Sequence, residues 1–142
     1  MSNCKKTPTP VITGLKLSKD DDRSTVDPTL FKRLVDGLMY LTSTRPDIMY
    51  GVSLISIFME SPKYYHWKAG KIILRYVSGI IDLVIMYSTS ENFKLIGYTD
   101  NDNGGNIVDR KSTSRHTFHF GIGFVSWDSK KHPIVTLSSV EA

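Results

Sequence analysis

Cysteine is almost absent. Cys4 is the single one in 142 residues, so the chain can form no internal disulfide, and nothing suggests an oxidising compartment. Long uncharged apolar runs are missing too. The longest candidate, Ile48–Met59, falls well short of the roughly 20 apolar residues that a membrane-spanning helix needs, and it reads as a buried helix. The amino terminus, Met1-Ser2-Asn3-Cys4-Lys5-Lys6, has no apolar core behind its lysines. No secretory signal and no membrane partner are therefore expected, and the expected location is intracellular, cytoplasmic or nuclear.

Patterns of metal ligands and nucleophiles are also scarce. Cys4, His66, His116, His119 and His132 make no zinc spacing. His116 and His119 lie three apart in an expected strand, so they point to opposite faces. There is no phosphate-binding P-loop and no strand–turn–helix serine elbow. Asp100–Lys111 has only a superficial likeness to a calcium loop. Its twelfth position is Lys111 where a bidentate Glu belongs, and its fifth is Gly104.

What is present is ordinary in bulk: 40% hydrophobic and 23% charged residues, enough for one domain with a core or for pieces of two. The formal net charge is +4. Residues 1–90 hold 12 Lys/Arg against 8 Asp/Glu and residues 91–142 hold 6 against 6, so the excess lies wholly in the first part. It suits a nucleic-acid partner but does not require one.

Residues 1–27 read as a solvated linker, with Pro8, Pro10, Gly14 and the run Asp20-Asp21-Asp22. A first helix is predicted from Asp27-Pro28, with Asp27 as cap and Leu30, Leu34, Leu38 and Leu41 as its apolar face. Gly37 lies inside it and offers close approach to a neighbour; Thr42-Ser43-Thr44 ends it. A second helix starts near Arg45-Pro46-Asp47 and buries Ile48, Val52, Ile55 and Met59 beside Phe58. Ser61-Pro62 stops it and caps a third helix, about Lys63 to Val77, with Gly79 as its stop and Trp67, Gly70, Leu74 and Val77 toward the core. Lys68, Lys71 and Arg75 share one surface of that helix. They could touch a phosphate backbone, or simply form a solvated face. Tyr64, Tyr65 and Trp67 could stack bases or belong to the core.

After Gly79 the period becomes alternating. Strands are predicted over Leu83–Tyr87 and Phe93–Thr99, the latter ending at Asp100. A hairpin is predicted from Thr117–Phe120 and Phe124–Trp127 around Gly121-Ile122-Gly123. Ser129–His132 reads as a loop, Pro133–Leu137 as a short strand, and Ser138-Ser139 as the cap of a following helix. Asp100 and Asp102 would share a face if both stayed extended, as a metal site wants. The same residues, followed by Asn103-Gly104-Gly105-Asn106, equally describe a turn after a strand.

These segments form an ordered set: Leu34–Thr42, Thr44-Arg45-Pro46-Asp47-Ile48, Ser61-Pro62, His66-Trp67, Leu74-Arg75-Tyr76, Lys94–Asp102, Asp109–Ser114, Val125-Ser126-Trp127, Ser129-Lys130-Lys131 and Leu137–Ala142. The set resembles copia-type retrotransposon Pol polyproteins, from about Asn3 to Ala142. The resemblance implies that residues 28–80 are a helical connection after the reverse transcriptase and that 81–142 begin a ribonuclease H domain. In that family the domain cuts the RNA strand of an RNA–DNA hybrid with two Mg2+ ions held by four acids. Asp100 matches the first acid. The second would be the residue after Ala142, so one carboxylate of four is expected, with an incomplete metal site, little Mg2+ affinity and no nuclease activity. Two departures stand out: Asn103 where the family has Trp, and Arg115 where it has Gly. An Arg at positive φ would strain the turn.

The fold expected is α+β, with about three helices followed by a truncated, mostly antiparallel ribonuclease H-like sheet of four or five strands. The alternatives are a non-catalytic nucleic-acid-binding module using Lys68, Lys71 and Arg75, and an interaction or effector-like protein derived from a transposon fragment.

Overall fold

A computed structural model describes residues 5–12, 17–18, 24–80, 82, 85, 87, 94–102 and 110–135. The chain is an α+β protein with two compact units, Met1–Leu83 and Val84–Ala142. Among the described residues no helix is long and apolar enough to cross a membrane.

The first unit is helical. Helix α1 (Pro28–Thr42) begins as its sequence dictates: the Asp27 carboxylate accepts the Thr29 amide at 2.8 Å, and Pro28 occupies the first turn, where its missing N–H costs nothing. It ends where Thr42, Ser43 and Thr44 turn their hydroxyls back onto the carbonyls of Met39, Tyr40 and Leu41, competing with the next helical bonds. The buried face is Phe31, Val35, Leu38 and Thr42. This corrects the expected leucine stripe by one position. Leu38 is shared, Leu34 and Leu41 flank the core, and Leu30 is exposed. Gly37 approaches nothing: a Cβ there would meet no atom within 4 Å.

The second helix is split. A single 3-10 turn at Pro46–Ile48 leads into α2 (Met49–Ser56), and Ile48, Val52 and Ile55 are buried as expected. Met59 lies beyond the helix, and Phe58 is the residue buried there. Helix α3 (Tyr64–Gly79) is capped by Lys63 and not by Ser61. The Lys63 amide donates to His66 Nδ1 at 2.9 Å, which gives the imidazole the acceptor role usually filled by Glu or Gln. Because Nδ1 accepts, the ring proton sits on Nε2 and donates to the Ser18 carbonyl at 3.1 Å. His66 is 1% exposed and stacks on Phe58 at 3.8 Å, so it is a satisfied core residue. Helix α3 buries Ala69, Gly70, Ile73 and Tyr76, while Trp67, Leu74 and Val77 pack around the core edge. At Gly70 a Cβ would stand 2.7 Å from Leu34 Cδ2, so here the missing side chain does bring helices together.

The described parts of 1–27 are not solvated throughout. Leu17 is in the core, Thr7 Oγ1 donates to the Ile72 carbonyl at 3.3 Å, and Thr25 bridges Lys63 in antiparallel fashion. The acidic run that suggested a solvated linker, Asp20–Asp22, lies outside the described residues.

The second unit holds an antiparallel sheet of order β1-β2-β3: β1 (Leu95–Asp102), β2 (Thr113–Phe120) and β3 (Gly123–Lys131). The glycine hairpin is present, and Gly121 takes φ 62 in its turn. Two boundaries differ from expectation. β1 runs past Asp100 to Asp102, and Ser129-Lys130-Lys131 belong to β3 because they pair with Arg115, Ser114 and Thr113. The bends at Pro133 and Ile134 are not strand. Ile85 and Tyr87 are not strand either. The other residues of the expected strands at 83–87 and 133–137, the glycine-rich turn at 103–106 and the cap at Ser138-Ser139 lie outside the described residues. Three strands are therefore seen among the described residues where four or five were expected.

Candidate functional site

Asp100 sits in β1 directly opposite Arg115 of β2, which in turn is opposite Ser129 of β3. Residues opposite each other in an antiparallel ladder share a face, and their Cβ atoms are close enough to interact. Arg115 Nη1 donates to Asp100 Oδ2 at 3.1 Å. The acid that the sequence singled out is thus already paired with a fixed cation. The residue responsible is one of the two departures from the family pattern. The strain expected at Arg115 does not arise, since it lies inside β2; the non-glycine residue at positive φ is Arg110, at 55°.

The pair is open to water. Its side chains are 71% exposed for Asp100 and 34% for Arg115, and an ion pair of this kind contributes at most about 1 kcal/mol. Its importance is chemical. Mg2+ wants near-octahedral oxygen ligation, usually from more than one carboxylate. Among the described residues no three His, Cys, Asp or Glu side chains are grouped to hold a metal ion. Among the described side chains on this face, Asp100 is a carboxylate that faces a guanidinium.

On the same face of the sheet, Tyr98, His119, Phe124 and Trp127 form a row of ring contacts, at 5.5 Å, 3.9 Å and 6.5 Å between successive centroids. Sequence reasoning had placed the hairpin but not this row, because the row depends on which residues the register sets side by side.

Lys68, Lys71 and Arg75 lie in the first unit on α3. Lys68 is exposed, and Lys71 and Arg75 are half-buried. The Lys71 ammonium lies 5.8 Å from the centre of the Trp67 ring, a cation–π contact. Tyr64 is exposed, while Tyr65 and Trp67 pack against the core.

The most elaborate polar arrangement in the first unit was missed from sequence. Arg45 forks onto Asp47, with Nε to Oδ1 at 2.9 Å and Nη2 to Oδ2 at 2.7 Å, while Nη1 donates to the Ile80 carbonyl at 3.0 Å. The guanidinium also lies 5.8 Å from the Tyr76 ring. Burial works against the Asp47 charge, but hydrogen bonds from Arg45 and Tyr76 and the Arg45 charge outweigh it and hold the carboxyl below its ordinary range. The Tyr76 phenol is pushed up, first by burial and then by Asp47. This cluster ties the start of α2 to the end of α3. It is a structural clamp, and the signal for it was the Arg-Pro-Asp spacing, which sets both charges on one tight turn.

An α+β chain with a helical unit and a three-stranded antiparallel sheet whose edge strand β1 carries Asp100 is the class defined so far. Comparison with known proteins narrows it. The chain is 38% identical to the Retrovirus-related Pol polyprotein from transposon TNT 1-94 of Nicotiana tabacum, over 149 aligned residues covering all of this chain and 11% of that protein. It is 37% identical to the Pol polyprotein from transposon RE2 of Arabidopsis thaliana, over all of this chain and 10% of that one. It is also 40% identical to Secreted RxLR effector protein 161 of Plasmopara viticola, over 75% of this chain and 76% of the effector. No family model matches the chain, and no solved structure does. The chain belongs to the copia-type retrotransposon Pol polyproteins and spans about a tenth of the length of those it matches.

Proposed function

We propose that this chain is the part of a copia-type polyprotein where the reverse transcriptase passes into the ribonuclease H domain, and that its Asp100 site does not cut RNA. The order of a helical unit followed by an antiparallel sheet with Asp100 in its first described strand supports the placement. The Arg115–Asp100 pair carries the second half of the reading. In an active site of this class, two divalent ions supply an activated water and stabilise the leaving oxygen. Here Arg115 presents a permanent positive charge to the carboxylate such ions would need, so Asp100 serves as an ion-pair partner and no hydrolytic step is assigned to it.

The test is cleavage of an RNA–DNA hybrid in Mg2+ by the chain, by Asp100→Asn and by Arg115→Gly. The expected result is no cleavage above background from any of them. Mg2+-dependent cleavage by the unaltered chain, abolished by Asp100→Asn, would overturn the reading.

A second reading is favoured by one observation, the cluster of Lys68, Lys71 and Arg75 on α3 with Lys68 exposed. In it the helical unit holds duplex or hybrid through phosphates without cutting. Binding would then weaken steeply with salt, with a slope near −0.9 per phosphate neutralised. Replacing all three residues by Ala reduces that slope by about 2 to 3. Unchanged binding would reject the stripe as the contact.

A further inference from the structure

The opposite face of the sheet carries a second cluster that the Asp100 reading does not use. Ser114 and His116 flank Arg115 in β2, and side chains alternate along a strand, so both project away from the Asp100 face. Across the ladder they face Lys130 and Asp128 of β3. Just past the end of β3, the His132 amide donates to the Ser112 carbonyl at 2.8 Å, which pins His132 beside the strand end. Its Nε2 is hydrogen-bonded to Ser114 Oγ. With the adjoining residues Lys131 and Pro133, they line a cavity of about 260 Å³.

From this cavity we infer an anion site that takes a phosphate group, as free phosphate or as a phosphate ester. The inference does not depend on the fate of Asp100. The lining offers the Lys130 ammonium, two imidazoles and a hydroxyl that is itself 93% buried, against one carboxylate, Asp128. Lysines serve as point charges toward phosphate, whereas a carboxylate ligand is better matched by the planar fork of an arginine, which the lining lacks. A tetrahedral anion can also accept from donors spread around a concave wall. His132 holds the Ser114 hydroxyl in place, and with Nε2–H as the donor to Oγ the hydroxyl proton is left to donate to the anion without being ordered on binding. The cavity exceeds what one phosphate fills and is below the usual range of about 300–1,000 Å³ for larger ligands. A phosphate with part of the group that bears it fits that size. The Asp128 charge opposite His116 limits the net attraction, so millimolar affinity is expected.

The test is an NMR titration of the full chain, nitrogen-labelled, with inorganic phosphate at constant ionic strength and chloride as the reference salt. Saturable shifts of the Ser114, His116, Lys130 and His132 amides with phosphate but not chloride are expected. Lys130→Ala should weaken binding about tenfold, as for loss of a charged hydrogen bond, and Ser114→Ala about fivefold, as for a neutral one. Lys130 is exposed, so that variant keeps the test valid if the Ser114 variant fails to fold. A ribonucleoside monophosphate and a dinucleoside monophosphate separate the sources. Binding of the first alone identifies a terminal phosphate, and binding of both identifies a chain phosphate. No saturable shift, or shifts that are unchanged in Lys130→Ala, would overturn the proposal.

Discussion

Replacing Arg45 by Ala tests the clamp between α2 and α3. The substitution removes both hydrogen bonds to Asp47, at 2.9 and 2.7 Å, and the one to the Ile80 carbonyl at 3.0 Å. Arg45 is 10% and Asp47 22% exposed at the side chain. Breaking a buried pair from one side costs about 3–5 kcal/mol, because a charge is left behind without its partner. The residual exposure of Asp47 puts the expected loss at the lower end, about 3 kcal/mol. For a unit of this size that is a fall of roughly 15 °C in the melting midpoint. Far-ultraviolet circular dichroism of the full chain is a suitable assay, since the helices among the described residues all lie in the first unit. Arg45→Lys keeps the charge but not the fork and should lose about half as much. The double change Arg45→Ala, Asp47→Ala leaves no orphaned charge and should be less destabilised than the sum of the singles by about 1–3 kcal/mol. A shift of less than about 3 °C for Arg45→Ala would refute the reasoning.

Asp47 is held below its ordinary range, so its contribution is fully present above the unfolded carboxyl value of about 3.9 and fades as pH falls through the lower folded value. The stability gap between the unaltered chain and Asp47→Asn should therefore be constant near neutrality and close only below about pH 4 in an acid-denaturation series. Gly37→Ala should stabilise α1 by about 0.5–1 kcal/mol in urea denaturation, because the site is open and helical. A loss there would mean that something packs on Gly37. His66→Ala should cost about 2–4 kcal/mol in the same assay, since it removes a buried ring bonded at both nitrogens and stacked on Phe58. Arg115→Gln should change stability by less than about 1 kcal/mol, as expected for an exposed pair, and a larger loss would show that the pair holds the sheet together.

Much of this protein could be read without a structure because it rests on short-range chemistry. Pro28 and Asp27 start a helix wherever they stand before an apolar period, and Gly121 makes a hairpin turn at φ 62 because glycine lacks the Cβ that forbids it. The family is legible for a related reason: its blocks of residues keep their order along the chain. Leu30 shows where such reading stops. Period alone admits Leu30 or Phe31 to the buried stripe, and contact with the rest of the core decides for Phe31, at 0% exposed.

The candidate site belongs to the second category. Asp100 could be named from its strand and the resemblance, but its partner could not. Arg115 lies 15 residues away, and only the antiparallel register sets the two opposite. Lys130 comes opposite Ser114 through the β2–β3 ladder, and His132, just past its end, bonds to Ser114 Oγ, although the sequence alone made them a loop. Arg45 meets Ile80 across 35 residues. Local sequence thus determined where helices and turns begin, because caps, prolines and glycines act within a few residues. Which charges neutralise each other was decided by the tertiary structure, because pairing depends on distances that only the packed chain defines.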